Sequence, residues 1–146
     1  MPRLHDPVAR EGIRTRVRAL RPDAQRRWGK MSVDQALWHL TCALEVALGR
    51  ATAPRDKLPL PPWAMKVLVL NLPWPKGAPT NPAWVAKSSY DFNAERERCL
   101  RLMDDFVKED ERRPWPPHPA FGNMSGREWS RLSHKHLDHH LRQFGA

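Results

Sequence analysis

The sequence is poor in cysteine and in long apolar runs, and each shortage excludes a class of protein. Cys42 and Cys99 are the only cysteines among 146 residues, so we predict neither a disulfide framework nor a thiolate metal motif, and we expect a reducing, cytoplasmic location. The most apolar run, residues 63–72, is far too short to span a bilayer, and the first residues contain no apolar leader segment. We therefore expect no membrane partner and no secretory leader.

The excess of positive charge is concentrated near the start of the chain. The formal net charge is +9, and residues 1–30 contain nine Lys or Arg against three Asp or Glu, which places +6 in the first fifth of the sequence. Such a patch can attract phosphates or acidic partners, or it can be a solvated helix face. The solvated face is the commoner outcome for a charge run, and we favour it here.

Helical periodicity and capping signals recur along the chain, whereas no two segments form a convincing strand pair. The first predicted helix starts at Pro7 and ends near Leu20 or Arg21, the second runs from the Ser32 cap to Leu48, and the third covers Trp63–Asn71. The fourth starts at Ser89 or Asp91 and ends before Pro114, and the fifth runs from the Ser125 cap to Phe144. The third of these is short enough to be a buried strand instead. We predict an all-α fold, an antiparallel four-helix bundle with one additional short helix and proline-rich loops, in a single domain of residues 1–146.

The last predicted helix carries four of the seven histidines, and two of them share its apolar face. At about 100° per residue, His136 and His140 project on the same side as Trp129, whereas His139 lies at the margin of that stripe. Two imidazoles on successive turns can bind one metal ion. They can also be core histidines that are hydrogen-bonded to the backbone or to each other.

A third histidine would strengthen the metal interpretation, and the second predicted helix supplies His39 beside small alanine neighbours. Three histidines leave an open coordination position, which is the pattern of a catalytic rather than a structural site. Imidazole ligands suit zinc, nickel, iron and copper, and a bound ion can activate water or a thiol.

Other residues near these helices have two possible roles each. Cys42 lies one turn after His39 and either faces the same space or packs in the core, which we favour. His118, in a proline-rich loop, either lines the site or is a turn histidine, which we again favour. Trp74 and Trp84 either form the walls of a pocket or cover the core.

The last helix also resembles a known family. It reads W-S-R-L-S-H-K-H-L-D-H-H-L-R-Q-F, and the order His136, His139, His140, Gln143 resembles the terminal helix of the DinB-like superfamily. The segment M-S-V-D-Q-A-L-W-H-L is similar to the superfamily's helix that bears the first ligand, which falls on His39. The loop H-P-A-F-G-N-M with the following E-W resembles a subgroup of uncharacterised function.

The resemblance implies a four-helix bundle, frequent homodimers and a divalent metal site whose ligands are His39, His136 and His140; we expect zinc or nickel. Several members of the superfamily are thiol-dependent transferases or isomerases that use a low-molecular-weight thiol. The superfamily is not understood as DNA-binding. No catalytic residue and no thiol-cofactor signature can be identified from the sequence.

Three functions therefore compete. The first is a divalent-metal-dependent enzyme, an S-transferase or hydrolase acting on a small molecule. The second is a stress-associated metal-binding protein without turnover. The third is a nucleic-acid-binding module that uses the arginine-rich first helix, for which the sequence offers charge but no recognised motif.

Overall fold

The computed structural model describes residues 1–78 and 80–146 and is all-helical in these ranges. Five α-helices follow one another along the chain: α1 Pro7–Ala19, α2 Val33–Ala47, α3 Pro62–Asn71, α4 Phe92–Lys108 and α5 Gly126–Gln143. A short 3-10 helix covers Pro82–Trp84, and the described residues form no strand, only an isolated bridge between His118 and Gly122. The predicted fold class is confirmed, and residues 63–71 are helical as favoured.

Capping side chains start the helices where the sequence signals indicated. Asp6 accepts the N–H of Val8 at 3.0 Å before α1, and Gln35 accepts the N–H of Ser32 at 3.0 Å before α2. At α5 the box is complete, because Ser125 and Glu128 each accept the other's backbone N–H. A cap of this kind contributes about 1 kcal/mol by satisfying backbone donors that the helix leaves free.

The four long helices form a ring in which α1 contacts α4 and α5, and α2 contacts the same two helices. Their apolar faces, together with Leu70 of α3, bury one contiguous core cluster that includes Trp129 and Phe106. Because α2 and α5 are neighbours in this ring, side chains on their facing surfaces can meet inside the bundle.

Two arginines of the basic first helix tie α1 to its neighbours. Arg14 pairs with Asp104 on α4, and Arg16 pairs with Asp138 on α5 at 2.7 Å. Part of the positive charge that the sequence concentrates in α1 is thus neutralised within the bundle.

Candidate metal centre

Three imidazoles converge between α2 and α5. His39 comes from α2, and His136 and His140 come from successive turns of α5; each offers one nitrogen, and these nitrogens all lie within 4.8 Å of one another. His39 and His140 are buried, whereas His136 is partly exposed. The structure therefore brings together the three residues that the sequence singled out, and His136 is the least buried of them.

A backbone carbonyl fixes the tautomer of His39. Its Nδ1 lies 2.9 Å from the carbonyl oxygen of Trp84, and because a carbonyl only accepts, Nδ1 carries the proton. The lone pair of Nε2 then points into the cluster, where Nε2 of His136 lies 2.9 Å away. Trp84 is the last residue of the 3-10 helix, and the packing of that helix on α2 holds the Trp84 carbonyl in place.

A carboxamide fixes the tautomer of His140 in the same way. Nδ1 of His140 donates to Oε1 of Gln143 at 2.8 Å, and the amide nitrogen of Gln143 donates to the carbonyl of Trp28 at 2.9 Å. Gly29, at φ +77°, allows this approach, since a Cβ there would lie 2.7 Å from the Gln143 amide nitrogen. Metal-binding histidines usually donate their second N–H to such partners, which orients the ring.

The donor set fits a divalent ion. Tetrahedral coordination with metal–nitrogen bonds of about 2.0–2.1 Å places the ligand nitrogens about 3.4 Å apart, so the cluster needs only small ring movements. Imidazole must be neutral to bind a metal, and burial lowers the pKa of His140 to about 3. Burial also lowers the pKa values of His39 and His136, and the neighbouring imidazoles add to this effect. In the described residues no carboxylate or thiol joins the cluster.

Aromatic side chains surround the three histidines. The Trp84 ring lies edge-on to His39, and the Trp74 ring packs against His136 with centroids 5.8 Å apart. His139 does not join the cluster; its ring lies between Trp74 and Trp28, with centroids about 5.4 and 5.5 Å away. Trp74 and Trp84 thus flank the site as well as covering the core.

Two further candidates lie outside the cluster. Cys42 is partly buried near Arg98, Glu95 and Glu45, and burial raises its pKa to about 11, so it does not share the space of the three histidines. His118 forms a turn: its Nδ1 accepts the N–H of Ala120 at 2.9 Å, and its backbone pairs with Gly122. These positions agree with the favoured interpretations of both residues.

Sequence reasoning missed the groups that orient the ligands. The carbonyl of Trp84 carries no sequence signal, because any residue type presents one. Gln143 stands out in the sequence only through its place in the family pattern, and its bond to Trp28 joins parts of the chain that are 115 residues apart. The glycine after Trp28 was the one available clue to a close approach.

Comparison with curated proteins and with solved structures found no match for this chain. A family model does match, and it covers residues 8–146, nearly the whole sequence. The chain therefore belongs to the family described as "Protein of unknown function (DUF1569)".

Proposed function

We propose that this protein is a divalent-metal-dependent enzyme of the DinB-like superfamily, with His39, His136 and His140 as ligands. The observation that carries the proposal is that two of the three rings are held, by Trp84 and Gln143, in the tautomer that turns Nε2 toward a common point. A hydrogen bond between core histidines would explain the approach of His39 and His136, but it would not explain why the third imidazole, that of His140, also turns a nitrogen toward the same point. The helical ring and the positions of the ligands support the DinB-like assignment.

The chain's own residues would hold the ion, leave one side of it open and limit access to it. A substrate would approach the ion past His136, the least buried of the three ligands, and past Trp74, whose ring packs against it. A divalent ion held by these three residues would lower the pKa of a bound water or thiol toward neutrality and could polarise a carbonyl. Imidazole-only ligands suit zinc or nickel, which we propose as the metal.

The charge of the site favours an anionic partner. Three neutral imidazoles leave both positive charges of the ion uncompensated, and the described residues place no carboxylate in the cluster. Lys76, whose ammonium lies 5.0 Å from the centre of the Trp28 ring, adds a cation on the side of His139. We propose a low-molecular-weight thiol, bound as its thiolate, as the nucleophilic substrate of an S-transferase; a hydrolase that uses water fits the same site.

One observation favours a second function, a metal-binding protein without turnover. A general base usually lies within hydrogen-bond reach of the group that it deprotonates. Among the described residues, neither a carboxylate nor Cys42 joins the three histidines. The enzyme proposal therefore assigns no side chain of the cluster as a general base, whereas the second function needs no base at all.

Turnover separates the two functions. Metal-loaded protein is incubated with thiols and a panel of alkyl, aryl and acyl electrophiles, and consumption of both substrates is followed. We expect consumption that disappears with a chelator and in His140→Ala, and that persists in His139→Ala, a matched change at a neighbouring ring outside the cluster. Metal binding without consumption across the panel would leave the non-catalytic function.

The oligomeric state, the cellular location and the domain organisation are further proposals. We propose a homodimer, which light scattering coupled to size exclusion tests directly, and a cytoplasmic location. We also retain the single domain over residues 1–146. We expect no nucleic-acid partner, because arginines of α1 such as Arg14 and Arg16 already pair with acidic residues of α4 and α5. None of the helices in residues 1–78 and 80–146 is both long and apolar enough to cross a membrane.

A further inference from the structure

Helix α3 turns an apolar surface to solvent. Of the nine large hydrophobic residues that are exposed in the described part of the chain, seven lie between residues 58 and 85. Trp63 is 69% exposed and Val67 is 52% exposed, which is unusual for side chains of this size. We define the α3 apolar surface by the exposed residues on and beside this helix: Leu60, Trp63, Val67, Leu68 and Leu72.

The geometry of the helix explains this exposure. Trp63 and Val67 lie one turn apart on the same side, and Leu68 widens the exposed strip to roughly 140° of the helix circumference. Of the other helices, α3 packs against α5 alone in the described residues, so only one side of it is covered. An exposed apolar strip of this width on a ten-residue helix is typical of a surface that binds a partner.

The surface is held at both ends. Pro62 lies beside Gly122, whose Cβ position would be 3.3 Å from the proline ring. At the other end, the ammonium of Lys135 on α5 donates to the carbonyls of Val69 and Leu72. The exposed side chains therefore project from a fixed segment.

The segments of the chain that contain and flank α3 are rich in basic residues, although Lys66 of α3 itself pairs with Glu128 of α5. Residues 51–90 contain five Lys or Arg and one acidic residue, Asp56, whose carboxylate accepts a hydrogen bond from Asn81 at 2.9 Å. Four of the five cations are exposed, namely Arg55, Lys57, Lys76 and Lys87. In space, Arg131 and Lys135 of α5 donate to backbone carbonyls of α3, so a partner that covers the apolar strip would come close to these cations as well as to those that flank α3 in sequence. Negative charge on the partner would therefore favour binding.

We propose that the α3 apolar surface docks on an anionic lipid bilayer, with the helix lying in the headgroup region. Trp63 and the neighbouring aliphatic side chains enter the interface, where tryptophan is favoured, and the flanking cations contact the acidic headgroups. Lysine is depleted in protein–protein interfaces, whereas it is common at lipid surfaces. A symmetric contact between two copies would also double the number of these cations at the interface.

This docking is compatible with the length of the helix. Ten residues extend about 15 Å, half the thickness of the hydrocarbon core, so α3 can lie along a bilayer but cannot cross it. The sequence-based expectation of no membrane partner rested on that shortness, which addresses crossing only. The exposure of the strip was not visible in the sequence.

Vesicle sedimentation tests the proposal with the full chain. The protein is mixed with vesicles of phosphatidylcholine alone or of phosphatidylcholine with phosphatidylglycerol, at low and high salt. We expect sedimentation with the anionic vesicles that weakens as salt rises, and Trp63→Ser should reduce the apparent affinity by about tenfold or more. Val8→Ser is the matched control, because Val8 is 84% exposed but lies on α1. Lys57→Gln should weaken binding more than Lys108→Gln, which removes an exposed cation at the end of α4.

Several results would overturn the proposal. These are equal binding to both kinds of vesicle, no binding to either, or equal effects of Trp63→Ser and Val8→Ser. Light scattering on the same variants can also contradict the proposal: if Trp63→Ser converts a dimer to a monomer, a second copy of the chain covers this surface instead. Binding to an acidic protein without binding to anionic vesicles would also exclude the lipid. Since the surface contains none of the three histidines, the result is independent of metal binding.

Discussion

The side-chain oxygen of Gln143 lies 2.8 Å from Nδ1 of His140, three residues earlier on α5. The same carboxamide donates from its nitrogen to the carbonyl of Trp28, so its two ends are satisfied by different parts of the chain. A carboxamide that bonds at both ends cannot rotate freely, and the ring of His140 is oriented as a result. The contact therefore connects the loop before α2, which contains Trp28, to the orientation of a ligand in the proposed metal site.

Replacing Gln143 with Ala should weaken metal binding although all three ligands remain. The change removes the acceptor for the Nδ1–H of His140, and loss of such a partner typically costs about 10–100-fold in affinity. Competition with a chromophoric chelator measures the effect. Asn93→Ala, at an exposed carboxamide on α4, which carries none of the three histidines, is the control and should leave the affinity unchanged.

A second variant separates the orientation of the ring from the stability of the loop. In Gln143→Glu an oxygen still accepts from His140, but the donor to the Trp28 carbonyl is lost. We expect metal affinity closer to that of the native protein than in the alanine variant, with reduced thermal stability. If both variants retain native affinity, Gln143 does not orient the ligand.

Replacing Gly29 with Ala should disturb the same contact from the other side. The new Cβ would lie 2.7 Å from the amide nitrogen of Gln143, and φ is +77°, which costs about 1–2 kcal/mol for a residue with a side chain. Gly49→Ala is the matched control, because φ is +74° there and no atom lies within 4 Å of its Cβ position. Urea unfolding should show a larger loss for Gly29→Ala, accompanied by weaker metal binding; equal losses would mean that the contact with Gln143 is unimportant.

Buried histidines should make the metal-free protein sensitive to mild acid. Burial lowers the pKa of His118 to about 3, whereas a histidine in the unfolded chain titrates near 6.5. The unfolded chain therefore takes up the proton first as the pH falls. The stability that depends on neutral His118 is complete above about pH 6.5 and is lost progressively between 6.5 and 3.

Urea unfolding in the presence of a chelator, at pH 7.5 and pH 5, tests this dependence. His118→Asn keeps an acceptor for the N–H of Ala120 but cannot titrate, so its stability should fall less over this interval, by on the order of 2 kcal/mol. Carboxylates with lowered pKa values, such as Asp138, titrate below this window and do not interfere. The same pH dependence in both proteins would exclude His118 as a contributor.

Cys42 should be slow to react and should be unnecessary for metal binding. Burial raises its pKa to about 11, so little thiolate exists at neutral pH. We expect Cys42→Ser to bind metal with unchanged stoichiometry, and a chromogenic disulfide reagent to modify the native protein slowly. Fast modification that metal loading prevents would place this thiol at the site after all.

Most of the fold could be predicted because local signals and apolar periodicity agree. Ser32 and Ser125 start α2 and α5 where their capping patterns indicated, and Asp91, one of two residues proposed to begin α4, is its N-cap. Helix α3 was harder to assign, since its apolar run has no helical periodicity to distinguish it from a strand. Its exposed face could not be foreseen, because sequence hydrophobicity does not show which side lacks a partner.

Residue spacing alone could predict only the part of the candidate site that lies on a single helix. The spacing of His136 and His140 places both on one face by helix geometry alone, whereas the third position depends on how α2 packs against α5. His39 could be proposed from its small neighbours and from the resemblance to a family. The backbone carbonyl that orients it belongs to a segment 45 residues away, and no local pattern reports such a contact.

Metal stoichiometry in single-histidine variants tests the central claim most directly. Elemental analysis and calorimetric titration of the native protein should give one divalent ion per chain, and His39→Ala, His136→Ala and His140→Ala should each abolish stoichiometric binding while helical content is largely retained. His139→Ala should bind nearly as the native protein does. Absence of binding in the native protein, or a loss in His139→Ala equal to that in the other three, would contradict the account.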